Sequence, residues 1–354
     1  MKIVVLGGGL STERHVSLVT GTSVCRALRE LGHKAVFVDM FLGLENYKGS
    51  LQDAFDDSDG VCGNVSIETT APDIEKVKAG RRLKSRSRLG DRVLDICALA
   101  DCVFLGLHGQ DGEDGKIQAA LDLMGVPYTG SDPLSSGMAM DKAVAKKIME
   151  SCGVPTPKWR EITYTEADIP GLRDSLPLPC VVKIVGGGSS IGVALPDTRE
   201  ELEKALRDIL KYGDRIIVEE KIVGRELTVP VYDDRCLCPI EIVPPEGSGF
   251  DYVAKYQSGP QGAREICPAQ VTDEERKLLS GYALKIHRAL GLSVYSRVDF
   301  MLDRHWRAFC LEVNTLHGMT PNSLIPKAAA AEGISYSRLC EGIVELSLRE
   351  RKND

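Results

Sequence analysis

Short apolar segments alternate with amphipathic helical stripes over the first third of the chain, and this alternation limits the possible folds more than any other feature. Lys2–Leu6, Ala35–Asp39 and Cys102–Leu107 are apolar runs of strand length. Between the first two, Val24 and Leu28 stand at the i, i+4 spacing of a helix face. An alternation of this kind predicts a parallel sheet with helices packed against it.

The rest of the chain is predicted to contain more hairpins. Cys180–Ile184 and Arg215–Glu219 are predicted strands, and Leu227–Tyr232 and Leu237–Val243 flank a short polar turn that indicates a hairpin. Residues 244–268 hold Gly, Pro and Ser without periodicity, which predicts a long loop. Loops of this length in compact domains often close over a functional site.

Length, charge and cysteine usage exclude several classes of protein. A chain of 354 residues predicts two or three domains, and no run approaches the roughly 18 apolar residues of a membrane span. The net charge of −7 argues against nucleic acid as the main partner. Eleven cysteines without a C-x-x-C pair favour reduced thiols. We therefore expect a cytoplasmic globular protein that acts on small molecules, with no nucleic-acid and no membrane partner.

Acidic side chains on a predicted hairpin, residues 295–313, give the clearest indication of chemistry. The expected register places Arg297 opposite Glu312, so that Asp299 and Glu312 become diagonal neighbours about 7–8 Å apart on one face. Asn314 follows on the same face if the strand continues. Two carboxylates and an amide oxygen are ligands that Mg²⁺ accepts, with nucleotide phosphates completing its shell. The alternative is a solvated polar face with an Arg297–Glu312 ion pair.

A second candidate site surrounds Lys183, which lies inside an apolar strand where an ammonium needs an anionic partner. The glycines and serines of 186–192 follow at once, and such a loop can bring backbone N–H groups close to a phosphate. The loop differs from a Walker A motif because no Lys-Ser/Thr pair follows the glycines. The alternative is a flexible turn, with Lys183 reaching solvent at a sheet edge.

The first glycine run suggests a third site, although the dinucleotide-binding fingerprint fails. Thr12 occupies the position of the third required glycine, and Asp39 would have been the ribose acceptor. The loop can still present backbone N–H groups and Glu13 to a small ligand. His108 stands just past a predicted strand and before a glycine, where it faces either a ligand or a structural partner.

Taken in order, the motifs of this chain resemble those of the D-alanine–D-alanine ligase family, whose fold is the ATP-grasp. The motifs that carry the resemblance are Gly8-Gly9-Leu10-Ser11-Thr12-Glu13-Arg14, Leu107-His108-Gly109, Gly112-Glu113-Asp114-Gly115, Met140-Asp141-Lys142, Lys183 with Gly188-Ser189-Ser190-Ile191-Gly192, Asp251-Tyr252-Val253-Ala254-Lys255-Tyr256, Arg297-Val298-Asp299 and Glu312-Val313-Asn314-Thr315. The resemblance implies an α/β N-terminal substrate-binding domain over 1–131. It also implies two ATP-grasp subdomains over 132–224 and 225–354, the last with the metal site and the lid.

The resemblance also implies roles for particular residues. Those matching nucleotide-binding positions are Lys142, Lys183, Glu219, Glu226 and Lys255. Those matching ligands of two Mg²⁺ ions, with Mn²⁺ as an alternative, are Asp299, Glu312 and Asn314. Those matching the catalytic positions are Glu13, Ser189 and Tyr256, which pin the lid over the first D-alanine, and Arg297 and the Gly318 N–H, which hold the reacting oxygens. Those expected to contact substrate are His108, Ser323 and Leu324.

The implied activity is the ATP-dependent joining of two D-alanines through an acyl phosphate, for peptidoglycan precursors, by a homodimer. One departure stands beside the reacting centre: His317 replaces the proline that family members usually carry before the glycine at Gly318. This departure leaves open a paralogous ligase with another second substrate, such as D-serine. A catalytically inactive ATP-binding protein is a remote alternative.

Overall fold

The computed structural model describes residues 1–56, 72–187, 192–244 and 263–352, which form three sheets with surrounding helices. The sequence-based predictions for Ser189, Lys255 and Tyr256, and for most of the loop 244–268, lie outside the described residues. None of the helices in the described ranges combines the length and apolar character needed to cross a membrane.

The first sheet is parallel and three-stranded, as the alternation of strands and helices predicted. Its strands are β1 (Lys2–Gly7), β2 (Lys34–Asp39) and β3 (Cys102–Leu105), in the order β2-β1-β3. The helices of this region are α1 (Arg14–Glu30), α2 (Ile74–Gly80), α3 (Val93–Cys97), α4 (Lys116–Leu123) and α5 (Pro133–Met140), with a 3-10 turn at Asp53–Phe55. Because the strands are parallel, their carboxyl ends meet at one edge, which carries the loops after β1 and β3.

The second sheet is antiparallel and four-stranded, in the order β4-β7-β5-β6. Its strands are β4 (Trp159–Thr163), β5 (Cys180–Ile184), β6 (Val193–Ala194) and β7 (Arg215–Glu220). The helices around it are α6 (Lys142–Ser151), α7 (Ile169–Ser175) and α8 (Arg199–Leu210). The Asp141 side chain accepts from Val144 N and caps α6, while Thr198 and Glu201 cap α8 reciprocally.

The third sheet has six strands in the order β11-β10-β8-β12-β13, with β9 beside β8. Its strands are β8 (Gly224–Tyr232), β9 (Arg235–Cys236), β10 (Ile240–Val243), β11 (Arg264–Ile266), β12 (Tyr295–Asp303) and β13 (Ala308–Asn314). The helices that follow are α9 (Asp273–Ala289), α10 (Leu324–Ala331) and α11 (Tyr336–Glu350).

Two predictions about the strands of the third sheet are wrong. The expected strand Leu237–Val243 is broken, because Pro239 has no N–H for the ladder, and residues 264–266 form an edge strand instead of loop.

The last helix, α11, shares a core with the first sheet rather than with the third. Leu339 and Ile343 of α11 are fully buried in the cluster that also holds Ile3 and Val103. The Ser347 hydroxyl accepts from Gly130 N at 3.2 Å. The chain therefore returns to its beginning, and the segment 314–324 lies between the first and third sheets. The mixed α/β fold class is confirmed, while the domain boundaries at 131/132 and 224/225 stay a prediction.

Candidate active site

One face of β12 and β13 carries the acidic side chains that the sequence singled out. Arg297 pairs with Asn314 in the ladder, and Asp299 pairs directly with Glu312. The expected register, with Arg297 opposite Glu312, is wrong. The step from Asp299 to Phe300 on β12 corresponds to two residues on β13, so Leu311 forms a bulge. The bulge brings the two carboxylates opposite each other instead of diagonally across the pair.

Asp299 is the centre of a hydrogen-bonded group on this face. Its Oδ1 accepts from Thr228 Oγ1 at 2.5 Å and from Arg297 Nε at 2.9 Å. Its Oδ2 accepts from Arg297 Nη2 at 2.8 Å and from Asn314 Nδ2 at 3.1 Å. The alternative ion pair between Arg297 and Glu312 is therefore replaced by a bidentate pair between Arg297 and Asp299. Glu312 lies instead 3.4 Å from the Lys142 ammonium.

The oxygens on this face suit a hard divalent cation. Asp299 and Glu312 supply carboxylates, and a rotation of the Asn314 amide would turn its oxygen toward the same point. No group of three or more His, Cys, Asp or Glu side chains in the described part of the chain has the arrangement of a metal site. A set of two carboxylates and one amide leaves positions for phosphate oxygens and water, which is how Mg²⁺ is held in nucleotide sites.

Two of the predicted nucleotide lysines converge from different elements. Lys142 is the first residue of α6, and its ammonium donates to the carbonyl of Gly187. Lys183 lies one residue before the end of β5, is 8% exposed, and lies 2.8 Å from Glu219 Oε2. Burial by itself would lower the pKa of Lys183, but the Glu219 and Glu312 carboxylates outweigh it and raise that pKa. Lys183 is therefore a cation held toward the acidic face.

Glu219, expected to contact the nucleotide base or ribose, is nearly fully buried on β7. Its carboxylate bridges Lys183 and Lys146, with Lys146 Nζ 2.6 Å from Oε1. Burial would raise the pKa of Glu219, but the two lysines reverse the shift and lower it. Lys146 was missed from the sequence, because lysines at positions 142, 146 and 147 of a helix look like a solvated face. A contact between Glu219 and nucleotide stays a prediction.

Glu226, the other expected nucleotide contact, lies half-buried on β8. It shares a strand face with Thr228, whose hydroxyl donates to Asp299. The Glu226 carboxylate also raises the pKa of Lys183, with a smaller effect than those of Glu219 and Glu312. The residue therefore lies at the border between the acidic face and the lysines.

The loop after β1 brings Glu13 to the edge of the first sheet. Gly8 and Gly9 adopt positive φ values of 74° and 77°, and a Cβ at Gly8 would lie 2.5 Å from Asp39 Oδ2. The Asp39 carboxylate pairs with the Arg14 guanidinium and accepts a hydrogen bond from Phe41 N. The glycines are needed for the close approach of this loop to Asp39, and no dinucleotide is required to explain them.

Glu13, 9% exposed, lies beside the loop after β3. A Cβ at Gly109 would be 3.1 Å from Glu13 Oε2, and Gly109 N donates to Glu113 Oε1 at 2.9 Å. Burial, together with the charge of Glu13, raises the pKa of Glu113 to about 8. This shift favours the protonated form of Glu113 over the carboxylate at pH 7. Glu113 lies in the Gly112–Gly115 motif, and no local pattern in the sequence distinguishes it as a site residue.

His108 links this edge to the segment after β13. The Thr20 hydroxyl lies 3.0 Å from Nε2, and the Leu316 carbonyl lies 3.4 Å from Nδ1. Burial lowers the pKa of His108, which makes the ring neutral. Nδ1 then carries the proton toward Leu316, and Nε2 accepts from Thr20. Both ring nitrogens thus have protein partners, and a contact between His108 and substrate stays a prediction.

The segment from Gly318 to Leu324 forms a compact turn before α10. A Cβ at Gly318 would lie 2.9 Å from Ser323 Oγ, so any larger residue there must displace the Ser323 hydroxyl. Ser323 Oγ accepts from Thr320 N at 3.1 Å. Ser323 is the N-cap of α10, and Leu324 is its first residue. The free N–H groups of that first turn, with the helix dipole, favour an anion at this place.

His317 is 5% exposed, and neither of its ring nitrogens has a hydrogen-bond partner among the described residues. Its ring meets Tyr295 edge-on at a centroid distance of 5.0 Å. Burial, reinforced by the Arg297 cation, lowers the pKa of His317 well below its ordinary value. The imidazole is therefore neutral, and it leaves polar atoms unsatisfied beside the Gly318 turn.

Two family models match most of the chain. The model described as D-ala D-ala ligase N-terminus matches residues 2–131, and the model described as D-ala D-ala ligase C-terminus matches residues 148–345. A D-alanine–D-alanine ligase of Pediococcus pentosaceus is 41% identical over 352 residues, covering 97% of both chains. One of Lacticaseibacillus casei is 38% identical over 352 residues, covering 99% of this chain and 96% of the relative.

Solved structures give the same result. A D-alanine–D-alanine ligase of Bacillus anthracis complexed with ATP has a TM-score of 0.70 at 30% identity, covering 100% of this chain and 99% of the other. The VanG D-Ala:D-Ser ligase of Enterococcus faecalis has a TM-score of 0.73 at 28% identity, covering 98% of this chain and 99% of the other. The ATP-grasp fold expected from the motifs is confirmed.

Proposed function

This chain belongs to the D-alanine–D-alanine ligase family, a family of ATP-dependent carboxylate–amine ligases, and we propose a role for each of its site residues in making D-alanyl-D-alanine. The observation that carries this function is the match of both family models and of full-length relatives over nearly the whole chain. The product is a building block of peptidoglycan. The arrangement of the acidic face, the lysines and the Gly318 turn supports the roles below.

Lys142 and Lys183 bind the phosphates of ATP. Both ammonium groups lie next to the acidic face, and both already contact oxygen atoms that phosphate oxygens can replace or join. Glu226 contacts the ribose, and Glu219 acts at the same nucleotide site. Lys255 reaches the γ-phosphate from the lid.

Asp299, Glu312 and Asn314 would hold two Mg²⁺ ions, or Mn²⁺ in their place. The donor set fits, because it offers hard oxygens from one strand pair and leaves room for phosphate oxygens. When bound, the ions would neutralise charge on the phosphates. Thr228 and Arg297 hold Asp299 in place for this role.

Glu13 receives the ammonium of the first D-alanine, and His108 lines the same pocket. Ser189 and Tyr256 complete a hydrogen-bonded group with Glu13 that holds the lid closed. The raised pKa of Glu113 limits the negative charge that this carboxyl adds beside Glu13.

In the first step, a carboxylate oxygen of this D-alanine attacks the γ-phosphorus of ATP. A new P–O bond forms, the bond to the β-phosphate oxygen breaks, and ADP leaves. The chain's contribution is position and charge, since Lys142 and Lys183 stabilise the negative charge spread over the transferring group. The product of this step is an acyl phosphate, whose carbonyl carbon is a good electrophile.

In the second step, the amine of the other D-alanine attacks that carbonyl carbon, loses a proton, and displaces phosphate. Arg297 and the Gly318 N–H stabilise the oxyanion of the tetrahedral intermediate. Ser323 and the N–H of Leu324, at the beginning of α10, hold the carboxylate of this second substrate. Closure of the lid over the site excludes water, which would hydrolyse the acyl phosphate.

The protein acts in the cytoplasm as a homodimer through its N-terminal domain. The expectation of a cytoplasmic protein rests on its reduced cysteines, since the ten described ones are free thiols. The dimer rests on the resemblance to the family alone. Sedimentation at micromolar concentration tests it, and a monomer at that concentration would overturn it.

Coupled detection of ADP release with D-alanine, alone and mixed with D-serine or D-lactate, tests the function. We expect ADP release with D-alanine alone and D-alanyl-D-alanine as the product by mass spectrometry. ADP release that requires D-serine would transfer the assignment to a ligase with another second substrate. A chain that binds ATP and turns over no D-amino acid would be an inactive nucleotide-binding protein.

A further inference from the structure

Lys146 is a buried lysine that has no part in the roles proposed for the other site residues. It stands one helical turn after Lys142 on α6 and is 0% exposed. Its ammonium lies 2.6 Å from Glu219 Oε1 and donates to Thr156 Oγ1 at 2.5 Å. The Thr156 hydroxyl donates in turn to the Cys310 carbonyl at 2.8 Å. Each of these contacts holds the ammonium in one place.

The two carboxylate oxygens of Glu219 contact two different lysines. One oxygen contacts Lys146, and the other lies 2.8 Å from Lys183 Nζ. Glu219 sits at the centre of its sheet, opposite Val181 on one side and Trp159 on the other. The carboxylate therefore has little freedom to move, and both contacts are short ion pairs.

The charges of this trio decide what Lys183 can offer to a phosphate. Burial lowers the pKa of Lys146, and contact with the Glu219 carboxylate opposes that shift. With both lysines protonated, two ammonium groups and one carboxylate sum to +1. Without Lys146, the sum over Glu219 and Lys183 would be zero, in a region where water screens charges little. Glu219 would then pair with Lys183 alone and hold the Lys183 ammonium away from a ligand.

We propose that Lys146 is a positioning residue for nucleotide binding. It shares the Glu219 carboxylate with Lys183, so that the positive charge of Lys183 is not cancelled and stays directed at the phosphates of ATP. This proposal rests on the proposed role of Lys183 in the nucleotide site. Lys146 itself is buried beneath the site and does not touch the nucleotide.

Replacement of Lys146 by Met in the full chain tests the proposal, with binding of Mg-ATP and of adenosine measured by calorimetry. We expect Lys146→Met to weaken Mg-ATP binding by about tenfold or more, because the loss is electrostatic. Adenosine has no phosphates, and its affinity should change less than about twofold. Lys146→Arg keeps the charge and should restore most of the affinity for Mg-ATP.

The neighbouring Lys147 offers a matched control. It lies on the same helix, has 60% of its side chain exposed, and pairs with Glu161 at the surface. Lys147→Met removes the same charge from the same helix and should leave both affinities within about twofold, because solvent screens that position. An effect on Mg-ATP equal to that of Lys146→Met would show that charge on α6 acts without Glu219, and it would overturn the proposal.

A double variant separates positioning from a structural role. In Lys146→Met with Glu219→Gln, Lys183 no longer pairs with a carboxylate at Glu219, so the affinity for Mg-ATP relative to adenosine should rise above that of Lys146→Met; the ratio cancels any contact that Glu219 itself makes with the base or ribose. Equal losses for ATP and adenosine in Lys146→Met, or no recovery of the ratio in the double variant, would mean that Lys146 only supports the fold. If the unaltered protein bound Mg-ATP no better than adenosine, the proposed nucleotide site itself would fail, whatever Lys146 does.

Discussion

Asp299 lies directly opposite Glu312 in the ladder between β12 and β13, one residue before the bulge at Leu311 shifts the register. Replacement of either carboxylate by its amide, Asp299→Asn or Glu312→Gln, should reduce kcat by at least about a hundredfold, because charge on the transferring phosphoryl group then lacks its counter-charge. Steady-state ADP release over a Mg²⁺ titration measures this effect. Glu241→Gln, on the opposite face of the same sheet, is the control and should keep its metal dependence. A tenfold or smaller loss, with unchanged magnesium response, would contradict the proposed metal site.

Stability should depend on pH through Glu113. The folded protein raises the pKa of this carboxyl to about 8 through burial and the nearby Glu13, against 4.5 ordinarily. The folded state therefore binds more protons than the unfolded state between those values, so the contribution of Glu113 is full below pH 4.5 and is lost as the pH rises toward 8. Urea unfolding at pH 5, 6.5 and 8 should show Glu113→Gln gaining stability over the unaltered protein as the pH rises. A constant difference across this range would mean that Glu113 is ionised in the folded protein.

Replacement of His317 by Leu should stabilise the protein. Both imidazole nitrogens are buried and have no partner among the described residues, and a buried unsatisfied polar group costs about 1–3 kcal/mol. Leu has a similar volume and needs no hydrogen bond. Thermal unfolding with and without D-alanine and ATP measures the change. A lower Tm for His317→Leu in the absence of ligands would indicate that ordered water satisfies the ring.

The Gly318 turn should control binding of the second substrate. A methyl group at this position meets Ser323 Oγ at 2.9 Å, so Gly318→Ala must displace the side chain proposed to hold the second carboxylate. We expect the KM for the second D-alanine to rise about tenfold, the equivalent of one lost hydrogen bond to a charged group. Gly281→Ala is the matched control, since its added Cβ meets nothing within 4 Å and lies inside α9. Equal KM values for the two variants would contradict the assignment of Ser323.

The sequence predicted most strands and the face that carries Asp299 and Glu312. Strand alternation is periodic, so it assigns residues to a face without knowledge of the partner strand. The register was wrong because the bulge at Leu311 depends on packing between strands, and no local residue pattern announces it.

The buried charges were harder to predict. Lys146 lies on a helix between other lysines, and this local sequence is typical of a solvated helix face. In the structure, Lys146 is completely buried and contacts Glu219 and Thr156. The position of α11 against the first sheet was likewise missed. Its apolar stripe predicts burial but does not say which of three sheets covers it.

The central claim is that ATP activates the carboxylate of the first D-alanine as an acyl phosphate, and isotope transfer tests it most directly. The enzyme is supplied with Mg-ATP and D-alanine labelled with ¹⁸O in its carboxylate, and the released phosphate is analysed by mass spectrometry. The account predicts one ¹⁸O atom in each phosphate, because the oxygen that attacks phosphorus leaves with it. Unlabelled phosphate formed together with D-alanyl-D-alanine would contradict the account.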